Sequence, residues 1–79
     1  MVQAEEIKRW IEAGLPGASA EVRGDGHHFE AVVITAAFAG KSIVARHQMV
    51  YAALGDRMGG AIHALSMRTL TPDELQQGK

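Results

Sequence analysis

Four clusters of turn residues cut the chain into short pieces, and this punctuation constrains its fold more than any other feature. They are Gly14-Leu15-Pro16-Gly17, Gly24-Asp25-Gly26, Gly59-Gly60 and Thr71-Pro72. Ahead of the first, Ala4, Ile7, Ile11 and Leu15 recur at helical spacing, which predicts an amphipathic helix over roughly residues 2–13. Glu5 and Glu6 fall in its first turn, where the helix dipole favours acids. Gly14, able to take positive φ, and Pro16, unable to continue a helix, form the stop.

Beyond that stop the apolar period changes from helical to alternating. Ala18, Ala20 and Val22 alternate with Ser19, Glu21 and Arg23, the pattern of a half-buried strand. Gly24-Asp25-Gly26 reads as a hairpin turn into a second strand, Phe29 to Thr35, with Val32, Val33 and Ile34 in succession. These two strands are expected to be antiparallel. Ser42 is placed to cap a second helix running to about Met58, with Val50, Leu54 and Met58 as its inner stripe and His47 and Ile43 extending that stripe backward. Gly59-Gly60 ends it, and Ala61 to Thr69 alternates as a third strand. Thr71-Pro72-Asp73-Glu74 is a capping box with proline at the first helical position, which predicts a short final helix. The expected fold is a single α+β (α/β) domain over residues 1–79, ordered α-β-β-α-β-α. A three-stranded mixed sheet would carry the helices on one face, with Ile7, Ile11, Val22, Phe29, Val50, Leu54 and Leu65 in the core.

Composition narrows the function classes. A domain of 79 residues has a thin core. With only four aromatic side chains (Trp10, Phe29, Phe38 and Tyr51), it has little room for a deep substrate pocket. The net charge of −1 lacks the basic excess of a phosphate-driven nucleic-acid binder. The absence of cysteine excludes disulfides, a thiolate ligand and a thiol nucleophile from this chain. The opening MVQAEEIKRW has acids where a signal peptide has its basic region, and no segment approaches the ~20 apolar residues of a membrane span. The expectation is a soluble, cytoplasmic protein.

Two apparent nucleotide or nucleic-acid motifs fail on inspection. FAGKS lacks the first glycine of a phosphate-binding loop, whose place is taken by Thr35. Gly14-Leu15-Pro16-Gly17 has G-x-x-G spacing but joins a helix to a strand and holds no basic residue. No serine has an evident base beside it, so the chain is expected not to be an enzyme.

The strings GDGHHFEAVV, FAGKS, RHQMVYAALGDRM and IHALSMRTLTPDE together resemble the BolA family, in its short bacterial, IbaG-type form. The resemblance runs from about Val22 to Glu74, and Arg46-His47 and His63-Ala64 are its specific parts. It implies a fold similar to type II KH domains. It also implies a monothiol glutaredoxin as one-to-one partner around a shared [2Fe–2S] cluster, with glutathione and a cysteine supplied from outside. His63 matches the family's strand histidine and is the expected metal ligand. A hairpin-loop residue supplies the second; His27 is preferred because His28 already looks like strand, and His28 is the alternative. No cofactor is expected on the isolated chain, which is expected to be monomeric.

Four further residues are open to two readings. His47 is either a packed helix histidine or a partner contact. Arg46 and Arg57, three helical turns apart, would share a face with Lys41 nearby, either as solvated charge or as a docking patch for an acidic partner. The resemblance thus favours a non-enzymatic adaptor in iron–sulfur cluster trafficking or in iron, redox and stress regulation. The alternative is a transcriptional regulator binding DNA through its KH-like architecture, a warrant that rests on fold analogy alone.

Overall fold

The computed structural model describes residues 2–77. Helix α1 (Ala4–Gly14) leads into strands β1 (Ser19–Gly24) and β2 (His28–Ile34). A 3-10 turn (Ala36–Phe38), helix α2 (Ile43–Leu54), a second 3-10 turn (Gly55–Arg57), strand β3 (Ala64–Leu70) and helix α3 (Pro72–Gln77) complete the chain. The order is α-β-β-α-β-α, as the punctuation predicts. The sheet is mixed, ordered β1-β2-β3, with β1 antiparallel to β2 and β2 parallel to β3. A parallel neighbour cannot be reached by a hairpin, so α2 serves as the crossover.

One face of the sheet is buried. Ala20, Phe29, Ala31 and Val33 point inward and meet Ile7 and Ile11 of α1 and Val50 and Leu54 of α2. Of the expected core, Val22 and Leu65 are only half-buried at its margin. Phe38 and Ile62, from the two connections flanking α2, are fully buried additions.

Several local expectations need correction. Gly14 does not take positive φ; Gly17 does, at 86°. Gly14 is instead a point of close approach, because a Cβ there would lie 2.6 Å from the Cβ of Ala53. Helix α2 stops at Leu54 rather than Met58, since Gly55 adopts a φ of 59° and returns its N–H to the Tyr51 carbonyl. Its buried stripe is Arg46, Val50 and Leu54. Ile43, assigned inward, is 67% exposed, because burial begins only one turn after the Ser42 cap. Strand β3 starts at Ala64, three residues later than the alternation suggests.

Arg46 is the main polar tie. Its Nε donates to the Lys41 carbonyl at 3.0 Å, and Nη1 donates to the Thr69 carbonyl at 3.1 Å. Nη1 and Nη2 grip the Glu74 carboxylate at 2.7 and 3.0 Å, and the guanidinium lies over the Phe38 ring. Thr71 and Glu74 close the predicted capping box, Thr71 N–H donating to Glu74 Oε1 and Glu74 N–H to Thr71 Oγ1.

Leu54 is fully buried, so Leu54→Ala should cost about 2–5 kcal/mol in denaturant unfolding. The Arg46 guanidinium, aided by the Thr71 N–H, pulls the Glu74 carboxyl down to about 2. A depressed folded value means that the latch is complete above the usual carboxyl range and is lost as pH falls toward 2. A carboxyl-detected NMR titration should place Glu74 at about 2, and Arg46→Ala should raise it while the Thr71 N–H keeps part of the depression.

Candidate functional site

The register of β2 on β3 builds a histidine pair. His28 is opposite Ala64 at the start of the parallel ladder, so one step earlier His27 meets His63. Their ring centroids are 6.1 Å apart with planes 26° from parallel, and both side chains are exposed. Two separate segments, the hairpin loop and the approach to β3, thus deliver imidazoles to one end of the sheet.

Each segment is held by its own bonds. In the hairpin loop, Asp25 Oδ1 accepts from the N–H groups of His27 and His28, both at 2.9 Å. Asp25 N–H also donates to the His28 carbonyl at 3.3 Å, and Gly26 supplies the positive φ the loop needs. Those backbone bonds, from His28 and then His27, hold the Asp25 carboxyl below its usual value. On the other side, Ile62 is fully buried, its N–H donates to the Arg57 carbonyl at 2.9 Å, and its own carbonyl accepts from Gly59 at 3.0 Å. His63 occupies a bend just after this anchor. Strand alternation continued back from Leu65 would turn His63 inward and Ile62 outward; the bend reverses both, leaving His63 exposed.

His28 departs from the pair. It is the first residue of β2, on the sheet face away from the helices, where Nε2 is 3.5 Å from Ser66 Oγ. His47 is half-buried on α2 and makes no side-chain hydrogen bond to another described residue. Lys41 is exposed in the turn before α2. Arg46 and Arg57 do not form the expected shared face. The helix ends between them, Arg46 is 8% exposed within the network above, and Arg57 turns to α1, where its guanidinium lies 4.5 Å from the Trp10 ring centroid. Arg46 is therefore internal cement and not a free cation. Sequence reasoning missed the apolar outer face of α2, where Ile43, Val44 and Tyr51 are 67%, 65% and 42% exposed. The signal was present in the adjacent Ile43-Val44, which cannot both join one inward stripe.

Two imidazole nitrogens, each about 2.0–2.1 Å from a common metal, put their ring centres no more than about 6–7 Å apart. The 6.1 Å separation lies inside that reach. The described residues hold no group of three or more histidine, cysteine, aspartate or glutamate side chains arranged for a metal. The pair offers half a ligand set. No helix among the described residues is long and apolar enough to cross a membrane.

A small α+β domain with a mixed sheet, helices on one face and a histidine pair at the strand-start end defines the class. The chain belongs to the BolA family: the pattern described as BolA-like protein matches residues 12–74. It is 36% identical over 61 residues to BolA-like protein 1 of Homo sapiens, covering 77% of this chain and 44% of that protein. It is 44% identical over 55 residues to the DNA-binding transcriptional regulator BolA of Vibrio cholerae, covering 70% and 52%. The chain thus spans about half the length of these curated relatives. Among solved structures, a bolA protein homologue from Coxiella burnetii superposes with a TM-score of 0.91 at 51% identity, covering 96% of this chain and 99% of that one.

Asp25 is expected to order the backbone at both His27 and His28. Asp25→Ala should speed amide hydrogen exchange at His27 and His28 while leaving Phe29 to Ile34 protected.

Proposed function

We propose that the chain is a short, IbaG-type BolA acting as a non-enzymatic adaptor. It binds a monothiol glutaredoxin one-to-one and contributes His63 and His27 to a [2Fe–2S] cluster shared with that partner and its glutathione. The role lies in iron–sulfur trafficking or in iron, redox and stress regulation. The observation that carries this reading is the exposed His27–His63 pair, two imidazoles within reach of one metal and no third protein ligand among the described residues. An incomplete set suits a shared centre better than a resident one, and with no cysteine in the chain all sulfur comes from outside. Imidazole is a good iron ligand, and histidine in place of thiolate on one iron raises a cluster's potential.

The chain's own residues do three things in this scheme. Asp25 fixes the loop so that His27 faces His63. The buried Ile62 fixes the backbone from which His63 projects. Lys41 in the turn before α2, and His47 with the exposed Ile43, Val44 and Tyr51 on it, offer contact surface for the partner, whereas Arg46 acts by holding α2 and Arg57 by packing on Trp10.

A transcriptional role is the second reading, favoured by the Vibrio cholerae relative, which is described as a DNA-binding transcriptional regulator. The net charge of −1 and the internal engagement of Arg46 weigh against it. DNA binding would show as an affinity that falls steeply between two salt concentrations.

The adaptor reading is tested by loading a monothiol glutaredoxin with cluster, adding the chain, and recording visible circular dichroism. His63→Ala, an exposed change, should keep the fold but abolish the signature of the mixed complex; His27→Ala should weaken or alter it less. A His63→Ala protein that is folded and gives the wild-type spectrum would overturn the assignment. Size-exclusion chromatography should show tighter association with cluster than without. Equal, tight association in both states would mean a plain protein contact instead.

A further inference from the structure

The face of the sheet turned away from the helices is uncovered. It carries Ser19, Glu21 and Arg23 from β1, His28, Glu30, Val32 and Ile34 from β2, and Ala64, Ser66, Arg68 and Leu70 from β3. Parallel strand pairs are ordinarily covered on both faces, and the β2–β3 pair here is not. A shallow depression of about 610 Å³ runs across its middle between Glu21, Arg23, Val32 and Arg68.

The charges on this face form a definite pattern. One cross-strand row reads Glu21, Val32, Arg68; the next reads Arg23, Glu30, Ser66; the row at the far end reads Ser19, Ile34, Leu70. Arg23 and Glu30 pair with each other at 3.2 Å. Glu21 and Arg68 are both exposed and form no ion pair with another described residue. They stand on either side of Val32, about 10 Å apart at two strand spacings.

From this pattern we infer that the open face docks on a second copy of the same chain. A two-fold axis parallel to the strands and passing over β2 lays β1 of one copy on β3 of the other. Glu21 then meets the second copy's Arg68, Arg68 meets its Glu21, and the Val32 side chains and the Ile34 side chains abut on the axis. Glu30 also falls on the axis and faces its own copy, a like-charge contact that each copy's own Arg23 offsets. Stacked sheets cross at about 30°, which displaces a residue one strand from the axis by only about 2–3 Å, within reach of Glu and Arg. The match is self-complementary, as an isologous contact requires. Strands of six, seven and seven residues present a footprint of roughly 300–350 Å², well short of a permanent interface, so the dimer is transient and forms at high protein concentration. The parallel orientation places both His27–His63 pairs at the same end of the dimer, off the contact.

Sedimentation equilibrium up to millimolar protein tests this with charge reversals. Wild type should associate weakly, and less so as salt is raised. Glu21→Arg alone and Arg68→Glu alone should each weaken self-association roughly tenfold, since each turns two attractions into repulsions. The double variant should recover it. An equimolar mixture of the two single variants should associate more tightly than either alone, a result that loss of folding cannot produce. A wild-type chain that stays monomeric at millimolar concentration overturns the inference. So does a dimer indifferent to these reversals, which would place the contact on another surface.

Discussion

The parallel pairing of β2 with β3 is the constraint on which everything else depends. An antiparallel third strand would have put the approach to β3 at the opposite end of the sheet from the hairpin loop, and His63 could never meet His27. Parallel pairing brings both strand starts together, and the register that sets His28 against Ala64 converts two unrelated stretches of sequence into one histidine pair. It also obliges the chain to cross over, which is what α2 does. The core follows, because the crossover helix and α1 can share one face of the sheet through the close contact of Gly14 with Ala53.

The two ends of the sheet are secured by different chemistry. At the strand-end side, Arg46 gathers the Lys41 carbonyl, the Thr69 carbonyl and the Glu74 carboxylate around Phe38, joining a turn, a strand and two helices through one guanidinium. Every bond there is internal, and one ring covers the charge. At the strand-start side the hairpin loop is held by the Asp25 carboxylate and by backbone bonds, and its imidazoles remain in solvent. At one point on the outer edge of β1, Ala20 donates its N–H to Glu12 and accepts at its carbonyl from Lys8, so side chains of α1 occupy the pairing groups there. The polar side chains that stabilise and those that stay available are thus segregated along the strand direction.

Much of this fold was legible because its signals are local. Turn clusters, the change of apolar period and two caps are each written in a few consecutive residues, and Ser42 and Thr71 perform the capping expected of them. What was not legible depends on partners distant in sequence. Nothing near Arg46 says that Glu74 waits 28 residues later, so a charged residue looked like surface and Ile43, apolar, looked like core. Gly14 read as a φ-driven stop because the Ala53 backbone against it cannot be seen from one segment. The bend at His63 was hidden for the same reason: it is imposed by Ile62 docking into the core, not by a glycine or proline at the bend itself. For the site, a family resemblance singled out His63 and the hairpin loop, but only the register shows that His27 meets it while His28 goes to Ser66.

That last distinction follows from strand geometry. Neighbouring residues on a strand face opposite ways, so two adjacent histidines at a strand start cannot serve one site unless one lies outside the ladder. Here His28 is inside it and is committed to the open face, while His27 lies in the loop, where the Asp25 bonds set its direction. Moving the strand start by a single residue would exchange the two roles. The Asp25 side chain supports the observed turn, since it accepts from both backbone N–H groups at once where β2 begins, while the buried Phe29, Ala31 and Val33 fix the register of the strand. The register of β2 on β3, together with a carboxylate that bonds only the backbone of the loop, thus sets His27 rather than His28 beside His63.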